Sequence, residues 1–520
     1  MNPLASALTK TLTTSKTTLT IFDRETGSWA DYPWSEVYDR AQSATTFIDE
    51  TSSGTIGFVG EPTIDLIAAL FGALLGGRPV SILPGVARGA DSAQWARHTA
   101  LRFQSHTVRT VFSGSKELAL LRCCADQIRI QDLSAVSRYP QSPITAADTD
   151  VAVLQSTAGS TGHPRTAALS PQAVVNNARG LIDRLGVDAA HDIGCLWLPL
   201  YHDMGLNCLI TAALAGIPLW LAPTAAFAAS PFRWLNWISE SRATLTAGPN
   251  FAYNLIGKYA SRVGDVDLGS LRVAINGGEP IDCAGLDRFA KALAPFGYRA
   301  GAAAPAYGMA ESVCAVTMPP AGRGLIIDEV DGPQGPRQHA VLGPPIDGME
   351  VRIKPVESAP SGAGEIEIRG SSMMSGYLGD GCHDAQQWFP TGDLGYLTEA
   401  GLVVCGRSKE VISIAGRNLF PGEIETAVAG IPGVREGAVV AIATAAGSAR
   451  PGLMVAAEFR GRDEPGARSA VSKRVAAVCG VTPIEVILLA PGALPRTSSG
   501  KLRRLEVQHQ LENGAHPSGA

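Results

Sequence analysis

One stretch of this chain is made of the groups that hold phosphate. Gln155-Ser156-Thr157-Ala158-Gly159-Ser160-Thr161-Gly162-His163-Pro164-Arg165 brings together two glycines, four hydroxyls, a proline and a terminal arginine. Glycine lets backbone N–H groups approach an anion closely, while hydroxyls and a guanidinium add donors and charge. The loop is not a Walker loop, because His163-Pro164 follow Gly162, and it is not the Gly-x-Gly-x-x-Gly dinucleotide fingerprint. On its own it also fits a surface turn, so the other reactive residues must decide. His202-Asp203 could suggest a hydrolase dyad, but no Gly-x-Ser-x-Gly elbow accompanies it. Glu311 alone would suit the first turn of a helix, and Asp393, between glycines, would suit an Asx turn. Lys501 ends a Ser-Ser-Gly arm and opens a Lys-Leu-Arg-Arg run that would ordinarily be a solvated basic tail.

The elements that must position these residues follow from hydrophobic patterning. Val151–Leu154 reads as a buried strand leading into the loop. Ser170-Pro171 reads as an N-cap with proline at the first helical position, and the helix runs through Val174, Val175, Ala178 and Leu181 to a stop at Gly186. Thr55–Val59, Pro79–Leu83, Cys195–Leu198 and Pro218–Leu221 are strand-like and alternate with helical patterns such as Ile64–Leu75, which predicts doubly wound parallel sheets. From 322 to 405 the chain changes to Gly/Pro-rich turns between short alternating strands, Glu350–Ile353 and Glu365–Ile368 among them. The expected fold class is α/β: a large domain over 1–408 containing a β-rich subdomain at 322–405. A small mobile α+β domain follows over 409–520, with 511–520 expected to be disordered. Trp234 and Trp237, three apart on a helix, are expected in the core.

Composition narrows the function classes. At 520 residues the chain exceeds the size of one core, so several domains are expected. A net charge of −5 without long basic runs argues against nucleic-acid binding. Nine cysteines without Cys-x-x-Cys spacing fit thiols in a reducing compartment, not a disulfide framework or zinc site. The N-terminal MNPLASALTKTLTTSKTT has no secretory apolar run, and Leu66–Gly77 is shorter than the roughly 20 residues that span a bilayer. The expectation is a soluble cytoplasmic protein.

Six further islands accompany the loop. They are Pro199–Gly205 (PLYHDMG), Asn276–Pro280 (NGGEP), Tyr307–Glu311 (YGMAE), Thr391–Gly395 (TGDLG), Gly406–Glu410 (GRSKE) and Pro495–Lys501 (PRTSSGK). In this order, from about residue 30 to 505, the set resembles the adenylate-forming superfamily of acyl-CoA synthetases, peptide-synthetase adenylation domains and firefly luciferase. Within it, PLYHDMGL at 199–206, AGPNFAY at 247–253, NGGEPI at 276–281 and GRNLFPGEIE at 416–425 are most similar to fatty acyl-AMP ligases. Ala310 also matches that branch, whereas Ala158 and Arg165 stand where many relatives carry serine and lysine.

The resemblance implies an ATP-dependent enzyme in which a carboxylate attacks the α-phosphate of ATP, releasing pyrophosphate, before a thiol or amine displaces AMP. Thr157, Ser160, Thr161 and Gly162 would cradle the β- and γ-phosphates. Glu311, with Thr157, would hold Mg²⁺. Tyr307 would offer a face for adenine, opposite the backbone of Gly277, Gly278, Glu279 and Pro280. Ala306, Gly308, Met309 and Ala310 would complete the nucleotide site, and Asp393, reinforced by Arg407, would hold the ribose. Lys501 would bridge the substrate carboxylate and the α-phosphate. Lys409 matches the hinge about which the C-terminal domain rotates between half-reactions, and His202 would lie near the acyl and phosphate groups.

The acid pocket is expected along His202, Gly205, Asn207 and Cys208, near Gly248 and Phe251, and at Ala304. Asn207 is a polar residue where small apolar ones are usual. It suggests an aryl, amino or hydroxy acid over a plain alkyl chain, unless its amide is used inside the protein. The acceptor is expected to be a carrier-protein phosphopantetheine thiol, with coenzyme A or an amine as alternatives. A phosphotransferase using the same loop would release ADP, and a degenerate scaffold would lack Glu311, Asp393 or Lys501.

Overall fold

Strands that are apolar on both faces need helices on each side, and the chain supplies them in alternation. The computed structural model describes residues 2–87, 90–123, 127–157, 165–332, 335–356, 363–414, 417–443, 452–496 and 502–512. One seven-stranded sheet runs Ala303–Pro305, Val273–Asn276, Leu245–Gly248, Gly194–Leu196, Leu219–Leu221, Thr18–Asp23 and Ser28–Pro33, parallel except at the last pair. A second runs Gly376–Tyr377, Thr166–Leu169, Val153–Ser156, Val80–Leu83, Ile56–Val59, Thr110–Ser113 and Arg129–Asp132. It is parallel from Val153–Ser156 outward and antiparallel across its first three strands. The expected α/β class is the observed one.

Helix Ile64–Leu75 illustrates the local logic. The Thr63 hydroxyl caps Leu66 N, and every residue from Leu66 to Leu75 is buried, as an all-apolar helix must be. Helix Pro171–Leu185 is capped as its sequence predicts: Ser170 Oγ accepts from Ala173 N at 3.1 Å, and Gly186 ends the helix at φ +55°. Trp234 and Trp237 are both in the core.

Six antiparallel strands form a separate sheet in the order Ile326–Gly332, Gly335–Val341, Gly401–Arg407, Phe389–Thr398, Gly364–Gly370 and Met349–Pro355. Toward the C-terminus, Val434–Ala443, Leu453–Phe459 and Glu485–Leu489 make a three-stranded sheet flanked by helices Pro421–Ala429 and Glu464–Cys479. These share a core of their own, built on Ile424, Val428, Val439, Val455, Val471 and Val475. Among the described residues no helix is long and apolar enough to cross a membrane.

One local expectation is corrected. The hydroxyl-rich loop does not lead from strand to helix: strand Thr166–Leu169 intervenes and pairs back on Val153–Ser156, Ser156 opposite Thr166. Three of its four side chains are buried, so it gains more as the next strand of the sheet than as a linker.

Candidate active site

The loop is a hairpin loop whose neck is closed by Thr157, which donates from N (2.8 Å) and Oγ1 (3.2 Å) to the Arg165 carbonyl. Ser160, Thr161 and Gly162 lie outside the described residues. Gln155 Nε2 donates to Tyr201 O at 2.9 Å, tying the strand before the loop to the segment carrying His202. On the other side, Gly376–Tyr377 pairs with Ala167 and Ala168, and Leu378 N donates to Thr166 O at 2.8 Å. This pairing places the Tyr377 ring under the Arg165 guanidinium, 3.9 Å from its carbon, and the Tyr377 hydroxyl donates to Glu311 Oε1 at 2.7 Å. Arg165, Tyr377 and Glu311 are therefore one connected group. Tyr377 is a site residue that the sequence did not disclose, because a two-residue strand has no periodicity to read.

Glu311 lies in the single 3-10 turn Ala310–Ser312, and is buried with its carbonyl accepting from Met374 N at 2.8 Å. Just before it, Tyr307–Gly308 pairs with Ala315–Thr317. A Cβ at Gly308 would fall 1.7 Å from the Cys314 carbonyl oxygen, so this hairpin admits no side chain there. Met309 and Ala310 carry the chain from that hairpin to Glu311. Tyr307 donates its hydroxyl to Asp393 Oδ2 at 2.7 Å, and Arg407 Nε lies 3.3 Å from Asp393 Oδ1. Strand register explains the latter, since Asp393 and Arg407 are cross-strand partners. Burial, then the Asp393 charge, pushes the Tyr307 hydroxyl well above its ordinary pKa, so it is a fixed donor.

The glycine-rich segment after strand Val273–Asn276 runs beside Ala306, whose N donates to Asn276 O at 2.9 Å. Gly277 faces the Ala306 carbonyl, and Gly278 takes φ +77°. Glu279 Oε2 accepts from Phe251 N at 3.1 Å, and Arg496 from the C-terminal region is within electrostatic reach of Glu279. Pro280 leads on to helix Cys283–Leu293. Lys409 sits exposed in the turn Ser408–Glu410, next to Ser408, whose hydroxyl donates to Gly392 O at 3.0 Å. Lys501 lies outside the described residues.

His202 is the N-cap of helix Asp203–Ala215. Gly205 lets that helix start close to the preceding chain, since a Cβ there would meet Pro199 O at 2.2 Å. Gly248 lies against the Trp234 ring, which belongs to an aromatic group with Trp197, Phe227 and Phe251; Trp197 and Phe227 stack at 3.5 Å. Ala304 is buried within its sheet. Cys208 is half-buried, and desolvation raises its thiol to about 12.

Asn207 is engaged inside the protein. It is 2% exposed, and its amide donates to Asn177 Oδ1 at 3.1 Å. A small cavity beside it has room for about one water, at ≈ 10 Å³. Its amide N–H is used inside the protein, which is the alternative reading of this residue.

Among the described residues no three His, Cys, Asp or Glu side chains gather as a metal cage. A single buried carboxylate, Glu311, beside the neck of a phosphate-type loop is the donor set of a Mg²⁺ that takes its other ligands from phosphates and water. The residues fit that ion.

Comparison with known proteins gives the family. Residues 13–378 match the AMP-binding enzyme family. The chain is 33% identical to a putative ligase of Mycobacterium tuberculosis, over 91% of this chain and 93% of the relative. It is 30% identical to a medium-chain-fatty-acid–[acyl-carrier-protein] ligase of Moorena producens, over 85% and 83%. Among solved structures, one from work on fatty acyl-adenylate ligases of E. coli and L. pneumophila superposes with a TM-score of 0.89 at 26% identity, covering 99% of this chain and 98% of that one.

Proposed function

Because this chain belongs to the AMP-binding enzyme family and is an AMP-forming ligase, we propose that it converts a fatty or similarly apolar carboxylic acid to an acyl-adenylate and then passes the acyl group to a carrier-protein phosphopantetheine thiol. One observation carries this reading: Tyr377 links Glu311 to Arg165 at the neck of the loop. A carboxylate and a cation are thereby held together at the neck of the loop, as binding a triphosphate and its counter-ion would require.

In the first half-reaction a substrate carboxylate oxygen bonds to the α-phosphorus as the bond to pyrophosphate breaks. Thr157 and the 158–164 loop would bind the β- and γ-phosphates, and Arg165 would add charge at its end. Tyr307 would present its ring to adenine across from Gly277–Pro280, while Asp393, already oriented by Tyr307 and Arg407, would accept from the ribose hydroxyls. Glu311, with Thr157, would hold Mg²⁺, which would neutralise charge on the phosphates. Lys501 would draw the two anions together, as the resemblance of Pro495–Lys501 implies. In the second half-reaction the thiol sulfur bonds to the acyl carbon, the C–O bond to AMP breaks, and AMP leaves. Lys409 would be the pivot between the two. The carrier-protein acceptor is supported by the Moorena relative.

Acid-dependent ATP–pyrophosphate exchange tests the reading, with AMP as the nucleotide product; ADP, or exchange independent of acid, overturns it. Lys501→Ala should lower adenylation by several orders of magnitude while sparing transfer from supplied acyl-AMP, and equal loss of both steps refutes its role. Coenzyme A outcompeting a loaded carrier protein would overturn the choice of acceptor.

A further inference from the structure

Directly after Glu311 the backbone does something an L-residue avoids. Val313 has φ +67° and ψ −57°, and Cys314 N donates across it to Ser312 O at 2.8 Å, closing a three-residue turn. This turn is rare and strained, and a β-branched residue is the least suited to its centre. Strained backbone persists only where its surroundings over-determine it, and it clusters at functional sites.

Two buried asparagines provide that constraint. Asn177, on helix Pro171–Leu185, donates to Ser312 O at 3.1 Å and to Ala315 O at 2.9 Å, and its Oδ1 accepts from Ala315 N at 3.2 Å. Asn207, on helix Asp203–Ala215, donates to the same Oδ1 and so fixes the rotamer of Asn177. Both are almost wholly enclosed. Val313 is itself buried, and lines the small cavity with Val153, Leu169, Val174, Leu206 and Ile210, so apolar packing also holds the turn. An amide pair that only stabilised the helix contact would bond helix to helix. Here three of the four bonds go to backbone within four residues of Glu311.

We propose that Asn177 and Asn207 are positioning residues for adenylation, acting through the strained turn at Val313 to fix the Glu311 carboxylate. This rests on the reading of Glu311 as the group that meets Mg²⁺ and the phosphates. The two asparagines come from the helix that follows the phosphate-type loop and from the helix capped by His202, so the clamp joins both segments to Glu311.

The test uses the full-length enzyme. Asn207→Ala should lower kcat for acid-dependent pyrophosphate exchange about tenfold and raise the Mg²⁺ concentration for half-maximal rate several-fold. Calorimetry should show weaker binding of a non-hydrolysable Mg·ATP analogue, while KM for the acid and transfer from supplied acyl-AMP stay unchanged. Asn207→Ser, which keeps a donor, should recover most of the Mg²⁺ dependence. Should Asn207→Ala fail to fold, Val313→Gly must show the same split, since glycine makes the turn without strain but also lets it go. Parallel loss of both half-reactions with unchanged Mg²⁺ dependence overturns the clamp. Glu311→Gln is the reference: if it shifts Mg²⁺ dependence and the asparagine variants do not, only the clamp fails; if it shifts nothing, the reading of Glu311 fails and the clamp with it.

Discussion

A carboxylate that is to meet phosphate must be held still without being neutralised. Glu311 is held in that way: its described side-chain partner is the neutral hydroxyl of Tyr377, and the nearby cation, Arg165, is spent on the face of the tyrosine ring. Asp393 is treated similarly on one oxygen by Tyr307, with Arg407 on the other. Burial and the Glu311 charge push the Tyr377 hydroxyl above its ordinary pKa, so it donates throughout the working range. Tyr377→Phe keeps the ring under Arg165 and removes only the donor. A hydrogen bond to a charged group is worth about 1.5–3 kcal/mol, so adenylation should fall roughly tenfold or more, and should do so through ATP and not through acid KM. Steady-state kinetics with each substrate varied would show it; an unchanged rate would mean that Tyr377 is a packing residue.

Between strands and helices, His106 does for the phosphate-loop sheet what the asparagines do for Glu311. As the C-cap of helix Ser92–Ser105 it bridges Ser81 Oγ and Thr166 Oγ1, each at 2.8 Å, joining strand Val80–Leu83 to the strand that follows the loop. Burial, with the Arg102 charge, depresses its pKa to about 4. The unfolded chain then binds a proton that the folded one refuses between pH ~6.5 and ~4, so stability falls as pH falls through that window, by about 1.4 kcal/mol per unit from this group. Urea midpoints at pH 7 and pH 5 should separate further for the native protein than for His106→Gln; equal separations would refute the assignment. At this scale the sequence is legible where signals are local. Ile64–Leu75 and Pro171–Leu185 announce themselves through caps and apolar period. Thr166–Leu169 did not, because four small, mostly apolar residues between a loop and an N-cap look like a linker until their partner strand is known. Gly376–Tyr377 is too short to read, Asn207 read as a polar residue of the acid pocket, and Asn177 carried no signal, because the groups they bond are far away in sequence. The chemistry-bearing islands were visible in the sequence, whereas Tyr377 and Asn177, which hold the region of Glu311, were not.

Across the whole molecule, the C-terminal sheet meets the larger body through few charges. Glu436 takes Lys258 Nζ at 3.1 Å and Arg288 Nη2 at 2.7 Å, and Arg337 reaches Glu423 at 3.0 Å. Such partly exposed pairs are worth about 0–1 kcal/mol each and weaken with salt, which would suit the proposed rotation about Lys409. Glu436→Ala should therefore increase proteolytic nicking near Lys409 by up to ~5-fold at low salt and leave thermal unfolding nearly unchanged; equal nicking rates would show that these pairs do not hold the arrangement. Another long-range contact matters before the enzyme ever turns over. Strand Thr166–Leu169 acquires its outer neighbour only from Gly376–Tyr377, about 200 residues later in the chain. At ribosomal speeds of about 5–20 residues per second, the nascent protein carries an unpaired strand edge beside the neck of the hydroxyl-rich loop for roughly 10–40 s, an interval in which a chaperone or an unwanted neighbouring chain can reach it first.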